Sequence, residues 1–288
     1  MWIVFALLAA LFVCLTMILA KVDRKGIAVA FRLGSVLVMA SAVVLVAGCA
    51  GKLGRTHKPS PPNENWKISY CIHRVAEVPP LTCDWDDPAW QGAETAELTH
   101  ARPEGSDHRP KVAVRLLHDD RYIYGLFQVH DRFVRTVNIG YQVPVYKDSC
   151  VEFFFKPDVG PGYFNLEMNA GGAYLFQYVS RYRHRGKVKG SYTAVAEAYG
   201  RMLTAKTTLP EFVDPEIEEP LTWYVQFVIP VAVLEAYCGK INTLGKRTWR
   251  GNFYKCGDET SHPHWLAWAP LTRLSHHLPE CFGTLTLE

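Results

Sequence analysis

The segment Val145–Phe155, VYKDSCVEFFF, sets Asp148 and Glu152 four residues apart in a run whose aromatic and β-branched content otherwise reads as a buried strand. Two carboxylates on one strand face invite general acid–base chemistry on a glycosidic bond. At ~3.3 Å per residue they stand about 13 Å apart, beyond the roughly 5–9.5 Å that such a pair spans. A glycoside hydrolase would need a second carboxylate from another strand, and the sequence nominates none. CDWDDPAW, Cys83–Trp90, gathers Asp84, Asp86 and Asp87, which offer oxygens to calcium. An EF-hand is excluded, because Ala89 stands where that loop needs Gly and Thr95 where it needs Glu. The same residues also read as an Asx-type turn before Pro88, with Trp85 and Trp90 turned inward. Cys256, His262, His264 and the pair His276-His277 are zinc-ligand types without CxxC or HxxxH spacing. There is no G-x-S-x-G and no Gly-rich phosphate loop, and Gly160 and Gly162 read as a turn.

What remains is an aromatic content of 12% interleaved with polar side chains. Sugars present apolar C–H faces bordered by hydroxyls, so their sites pair aromatic platforms with carboxylates and amides. On that chemistry Glu152 is tolerated in its strand because the strand face is a wet groove.

The elements that must position these residues are short strand candidates separated by turn signals, from WKISYCIHRV through TWYVQFVIP to GTLTLE. In TWYVQFVIP, Trp223, Val225, Phe227 and Ile229 share one face, as a period of two requires. VAVLEAY, residues 231–237 after Pro230, is the one convincing helix. The pattern predicts an all-β protein, an antiparallel β-sandwich of jelly-roll or immunoglobulin-like type with one short helix, over residues 66–288. Basic side chains Lys21, Arg24, Lys25 and Arg32 against Asp23 account for the whole net charge of +3, so the remainder is neutral. With no basic run, a nucleic-acid partner is not expected.

Two apolar segments flank KVDRK, and the second ends on Val46-Ala47-Gly48-Cys49. Small residues before a cysteine at the end of an apolar run resemble a bacterial lipobox, which implies cleavage before Cys49, lipidation of its thiol and export of everything downstream. A two-helix membrane anchor with Cys49 idle is the alternative. The first segment reads as a transmembrane helix or as an overlong start, with translation beginning nearer Met17. Residues 1–49 are thus a signal or transmembrane region, and 50–65, rich in Pro and Gly, a flexible linker. Six cysteines follow Cys49, and sequence cannot choose between buried thiols and disulfide pairings.

In order, CDWDDPAW, VAVRLLHDDRYIYGLFQVHD, VYKDSCVEFFF, YFNLEMNAGG, WYVQFVIPVAVL, NFYKCGD and HHLPECFGTLTL resemble carbohydrate-binding module family 9 and its DOMON-like relatives, over residues 68–288. The resemblance implies a β-sandwich, in some members with structural calcium, that clamps a terminal sugar between two aromatic rings. It places the first ring at Tyr146, the sugar-contacting glutamate at Glu152, a polar contact at Lys255 where glutamine is expected, and the second ring at His276. A family arginine falls at Glu167, and Trp268 matches a core tryptophan. The expected function is non-catalytic glycan binding by an envelope-anchored lipoprotein engaged in polysaccharide capture or degradation, through Tyr146, His276, Glu152, Lys255 and Asn252. The expected partners are an oligo- or polysaccharide and the membrane, and structural calcium near Asp84, Asp86 and Asp87 is the one cofactor implied. The relatives also suggest a haem-binding redox domain with axial ligands such as Met168 or His130.

Overall fold

The structure, a computed structural model, describes residues 67–184 and 187–288. The expected leader, Cys49 and the linker over 50–65 lie outside the described residues. Within them, no helix is long and apolar enough to cross a membrane.

The chain runs β1 (Ser69–Arg74), β2 (Ala96–Glu97), β3 (His100–Ala101), β4 (Lys111–His118), β5 (Tyr122–Asp131), β6 (Val134–Thr136), β7 (Cys150–Lys156), β8 (Tyr163–Asn169), β9 (Tyr174–His184) and β10 (Lys187–Ala194). After a single turn of helix, α1 (Glu197–Gly200), come β11 (Thr204–Thr207), β12 (Val213–Ile217), β13 (Leu221–Pro230), α2 (Val231–Cys238), β14 (Arg247–Cys256), β15 (Trp265–Ala267) and β16 (Gly283–Leu287). Helix α2 starts behind Pro230 and ends at Gly239, whose φ of 102° stops it.

One curled sheet folds into two leaves, β10-β9-β8-β7-β14-β16-β1 and β1-β4-β5-β13-β11. Strand β1 joins them: Ser69–Ile72 pair with β16, while His73 and Arg74 pair with β4. Both pairings are parallel, so the sheet is mixed, unlike the purely antiparallel sandwich read from the strand pattern. Inner faces meet in a core rich in aromatic rings, with Phe127 against Phe253 and Phe153 against Phe227, each pair at 6.3 Å between centroids. Trp268 is buried in this core, as expected. Tyr70 on β1 holds the seam, its hydroxyl accepting from the Leu116 N–H at 2.8 Å and donating to the Glu94 carbonyl at 2.6 Å.

Strand β7 shows no hydrophobic alternation because both of its faces are covered. Val151, Phe153 and Phe155 enter the core, while Phe154 joins Tyr163, Tyr254 and Phe282 in a second apolar cluster on the outer face. That outer face also carries Glu152.

Candidate functional site

Register fixes which side chains meet on the outer face. Tyr254 of β14, Glu152 of β7, Glu167 of β8 and Leu175 of β9 are direct cross-strand partners and form one row across four strands. Directly opposite residues on antiparallel strands share a face with Cβ atoms about 5 Å apart, so the two glutamates stand side by side. Glu152, Glu167 and Leu175 of this row floor a cleft of about 470 Å³, lined also by Tyr146, Trp265, Leu274, His276 and His277.

Glu152 is 2% exposed, so it is the floor of the cleft and not the wet, open position expected from sequence. It is tolerated because both oxygens are used: one meets His276 Nδ1 at 2.8 Å and the other accepts from the Cys256 thiol at 3.0 Å. Burial works to raise its pKa, but the electrostatic pull of His276 and these two hydrogen bonds outweigh it and hold the carboxyl below its ordinary value. His276 is in turn fixed by stacking on Tyr254, with centroids 4.1 Å apart and planes within 3°. One face of the expected second sugar platform is therefore already occupied.

Glu167 has the opposite electrostatics. One oxygen accepts from Asn165 Nδ2 at 2.9 Å, and the other is buried without a partner. Burial and then the facing charge of Glu152 push its pKa well above the ordinary glutamate value. Asp258, which accepts from Trp265 Nε1 at 2.7 Å, is also pushed up, first by burial. His276 Nε2 and Asn165 Oδ1 are further buried polar atoms without a partner. Tyr146 sits on a 3₁₀ turn, Val145–Lys147, and is 38% exposed. Its carbonyl accepts from the Asp258 N–H at 3.1 Å, tying the turn to the far rim.

Tyr146, Glu152 and His276 thus come together. Lys255 does not, because its neighbours in the register are Val151 and Met168 on the inner face. It is fully buried there, with Nζ 2.6 Å from His264 Nε2 and 3.3 Å from Asp131. Asn252 shares the face of Glu152 but is buried and committed to the chain at Ala269, donating to its carbonyl and accepting from its N–H. Neither is placed to touch a ligand in the cleft.

Other sequence-derived sites come apart in the same way. Met168 is buried in the core between the leaves, whereas His130 lies on an exposed outer face with Nδ1 against Thr222 Oγ1, so they share no haem cavity. Cys256 faces the cleft while His264 turns to Lys255 and His262 stacks on Phe133, which separates the three zinc-ligand candidates. Asp84 accepts from the Asp86 N–H and Asp87 from the Ala89 N–H, each at 2.9 Å, which makes them turn-formers. Among the described residues, three donor atoms approach within 4.8 Å of one another at Cys71–His73–Glu94, His108–Asp131–His264 and Cys150–Glu152–Cys256, not at the aspartates. The aspartate loop does not fit a calcium site built on its carboxylates. All six described cysteines are free.

A family model described as carbohydrate-binding family 9 matches residues 91–287, more than half of the chain. The chain belongs to carbohydrate-binding family 9. The family 9 fold is also that of solved structures. A candidate carbohydrate-binding protein from Bacteroides uniformis is 28% identical with a TM-score of 0.67, over 76% of this chain and 99% of that one. A family 9 module from Caldicellulosiruptor kristjanssonii, solved with glucose and with cellotriose, is 14% identical in both structures with a TM-score of 0.51. Those alignments cover 76% of this chain and 95% and 93% of the module. No curated protein matches.

For this family 9 chain, sequence reasoning missed Trp265 and Asp258 as cleft residues and treated Glu167 only as a departure. The available signal was cross-strand: YFNLEMN follows CVEFFFK after a short turn, so hairpin pairing could have set one glutamate against the other.

Proposed function

We propose that this chain is a non-catalytic glycan-binding module that seats a sugar in the cleft floored by Glu152 and Glu167. One observation carries the reading: buried, unpartnered polar atoms of Glu167 and His276 line a cleft whose rim offers the exposed ring of Tyr146. Buried polar groups are nearly always paired, and hydroxyls flanking an apolar sugar face would pair these while a ring stacks against Tyr146. The glucose and cellotriose complexes of the Caldicellulosiruptor module support a saccharide as the ligand class.

The adjacency of Glu152 and Glu167 supplies the second carboxylate that a hydrolase lacked in the sequence. Both rise from the same strand face, however, whereas a glycosidase pair flanks the scissile bond. Binding without turnover is the reading that fits.

The lipobox-like Val46-Ala47-Gly48-Cys49 and the polar 50–65 segment support an exported module tethered to the cell envelope, working in polysaccharide capture. Full-length protein in detergent, screened on a glycan array and titrated calorimetrically with the hits, tests the binding function. Saturable binding without release of reducing ends is expected, and an array with no hits overturns it. Cys49→Ser is expected to block maturation, and a variant that fractionates like wild type would sink the lipid tether.

A further inference from the structure

Resting on the glycan-binding reading, the charge and hydrogen-bonding inventory of the cleft narrows the ligand. Three carboxyl groups, those of Glu152, Glu167 and Asp258, border it, and among the described residues no lysine or arginine side chain does. The titratable groups lining the cleft around Glu167 are Glu152 from β7, Tyr146 ahead of β7, Cys256 from β14, Asp258 beyond β14, and His276 and His277 ahead of β16. His276 Nδ1 contacts Glu152. No basic side chain of the described residues is paired with Glu167, whose hydrogen-bonded partner is the neutral Asn165 amide. Glu167 can ionise opposite Glu152 only with a cation beside it, because like charges directly opposite on neighbouring strands are destabilising and buried charges are ordinarily paired. The arrangement lacks a cation at one point: beside the unpartnered Glu167 oxygen, within reach of Glu152.

We propose that the ligand supplies that cation as a protonated amine, carried by a de-N-acetylated hexosamine unit of a glycan. An ammonium brings three N–H donors and no acceptor, which suits the unpartnered Glu167 oxygen with the Glu152 carboxylate opposite it. A hydroxyl would satisfy one oxygen and bring no positive charge against which Glu167 could ionise. An N-acetyl group would replace the ammonium with a neutral amide and add a methyl group. Burial and the facing Glu152 push the Glu167 carboxyl well above its ordinary value, and the proton this favours leaves to solvent as the ammonium arrives.

The test titrates wild-type full-length protein in detergent with tetramers of glucosamine, of N-acetylglucosamine and of glucose. The glucosamine tetramer should bind about ten- to a hundredfold tighter than either neutral tetramer, the range that a charge-assisted hydrogen bond spans. Its binding enthalpy should vary with the ionisation enthalpy of the buffer, reporting the proton released. Glu167→Gln should abolish the preference, with its melting temperature measured alongside as the check on folding. Neutral tetramers binding as well as glucosamine would overturn the inference and leave the glycan reading standing. Failure of all three tetramers also overturns it, and the broader reading falls only if the array is blank as well. A preference retained in Glu167→Gln would show that the amine is read elsewhere and sink the proposal.

Discussion

At the scale of single residues, Asp148 and Tyr146 separate stability from binding within one short segment. Asp148 is fully buried and accepts from the N–H groups of Val137 and Asn138 and from the side-chain amides of Asn138 and Asn169, at 2.9–3.1 Å. Asp148→Ala strands four donors and is expected to cost about 3 kcal/mol or more of stability. Tyr146→Ala removes an exposed ring and is expected to weaken glycan binding by about 1–3 kcal/mol while leaving the melting temperature within a few degrees. Denaturant titration and calorimetry of the two variants check both, and the expectation fails if their effects are interchanged. That an acid at a strand entrance would find backbone donors was legible, but that they come from Val137 and Asn138, well back along the chain, was not. The placement of Lys255 was not: in NFYKC, aromatic residues fall on both faces, so nothing in the run shows which parity faces the core.

At the scale of elements, strands and the short helix were legible from turn chemistry and period, α2 falling over 231–238 where 231–237 was expected. Pairing was not. That the first and last described strands lie parallel to each other is a long-range choice with no local signature. Cross-strand complementarity appears only after pairing, as at Gly125, whose β13 partner is Phe227. A Cβ on Gly125 would lie 2.1 Å from the Phe227 ring, which is buried in the core and has little room to yield. Gly125→Ala is expected to destabilise by about 1–3 kcal/mol, as overpacking does. Adding Phe227→Leu should recover part of that loss in a double-mutant cycle, and a cycle showing no coupling would mean the ring does not lie over the glycine.

At the scale of the whole molecule, binding and stability sit on different surfaces of one leaf, and each surface has its own pH limb. Behind the sheet, Lys255 Nζ donates to His264 Nε2, whose Nδ1 lies 2.8 Å from the His262 carbonyl. Burial, and then repulsion by Lys255, push His264 down from 6.5 to about 3. Protonating it would set two N–H donors against each other. The unfolded chain therefore takes up a proton between pH 6.5 and about 3 that the native state refuses, so stability falls as pH drops through that window. The slope is at most about 1.4 kcal/mol per pH unit for this one proton. Glu152 and Asp131, whose carboxyls are held low, add to this loss only below the ordinary carboxylate range, so between pH 4.5 and 6.5 they do not mask His264. On the cleft side Glu167 acts in the other direction. Its raised pKa means that the native state keeps a proton the unfolded chain has lost, so stability declines as pH climbs above 4.5 toward the native value of Glu167. Where the two windows overlap their slopes oppose, and single variants uncover each limb. Glu167→Gln should steepen the rise in melting temperature between pH 4.5 and 6.5 and flatten the decline at higher pH, whereas His264→Gln should leave only the decline. Melting curves of the three proteins from pH 4 to 9 read this directly, and a Glu167→Gln profile that simply parallels wild type would mean that Glu167 is ionised in the empty cleft. A chelator series on the same samples is expected to change nothing, since Asp84 and Asp87 are engaged as turn-formers, and a lowered melting temperature would show that calcium is held after all.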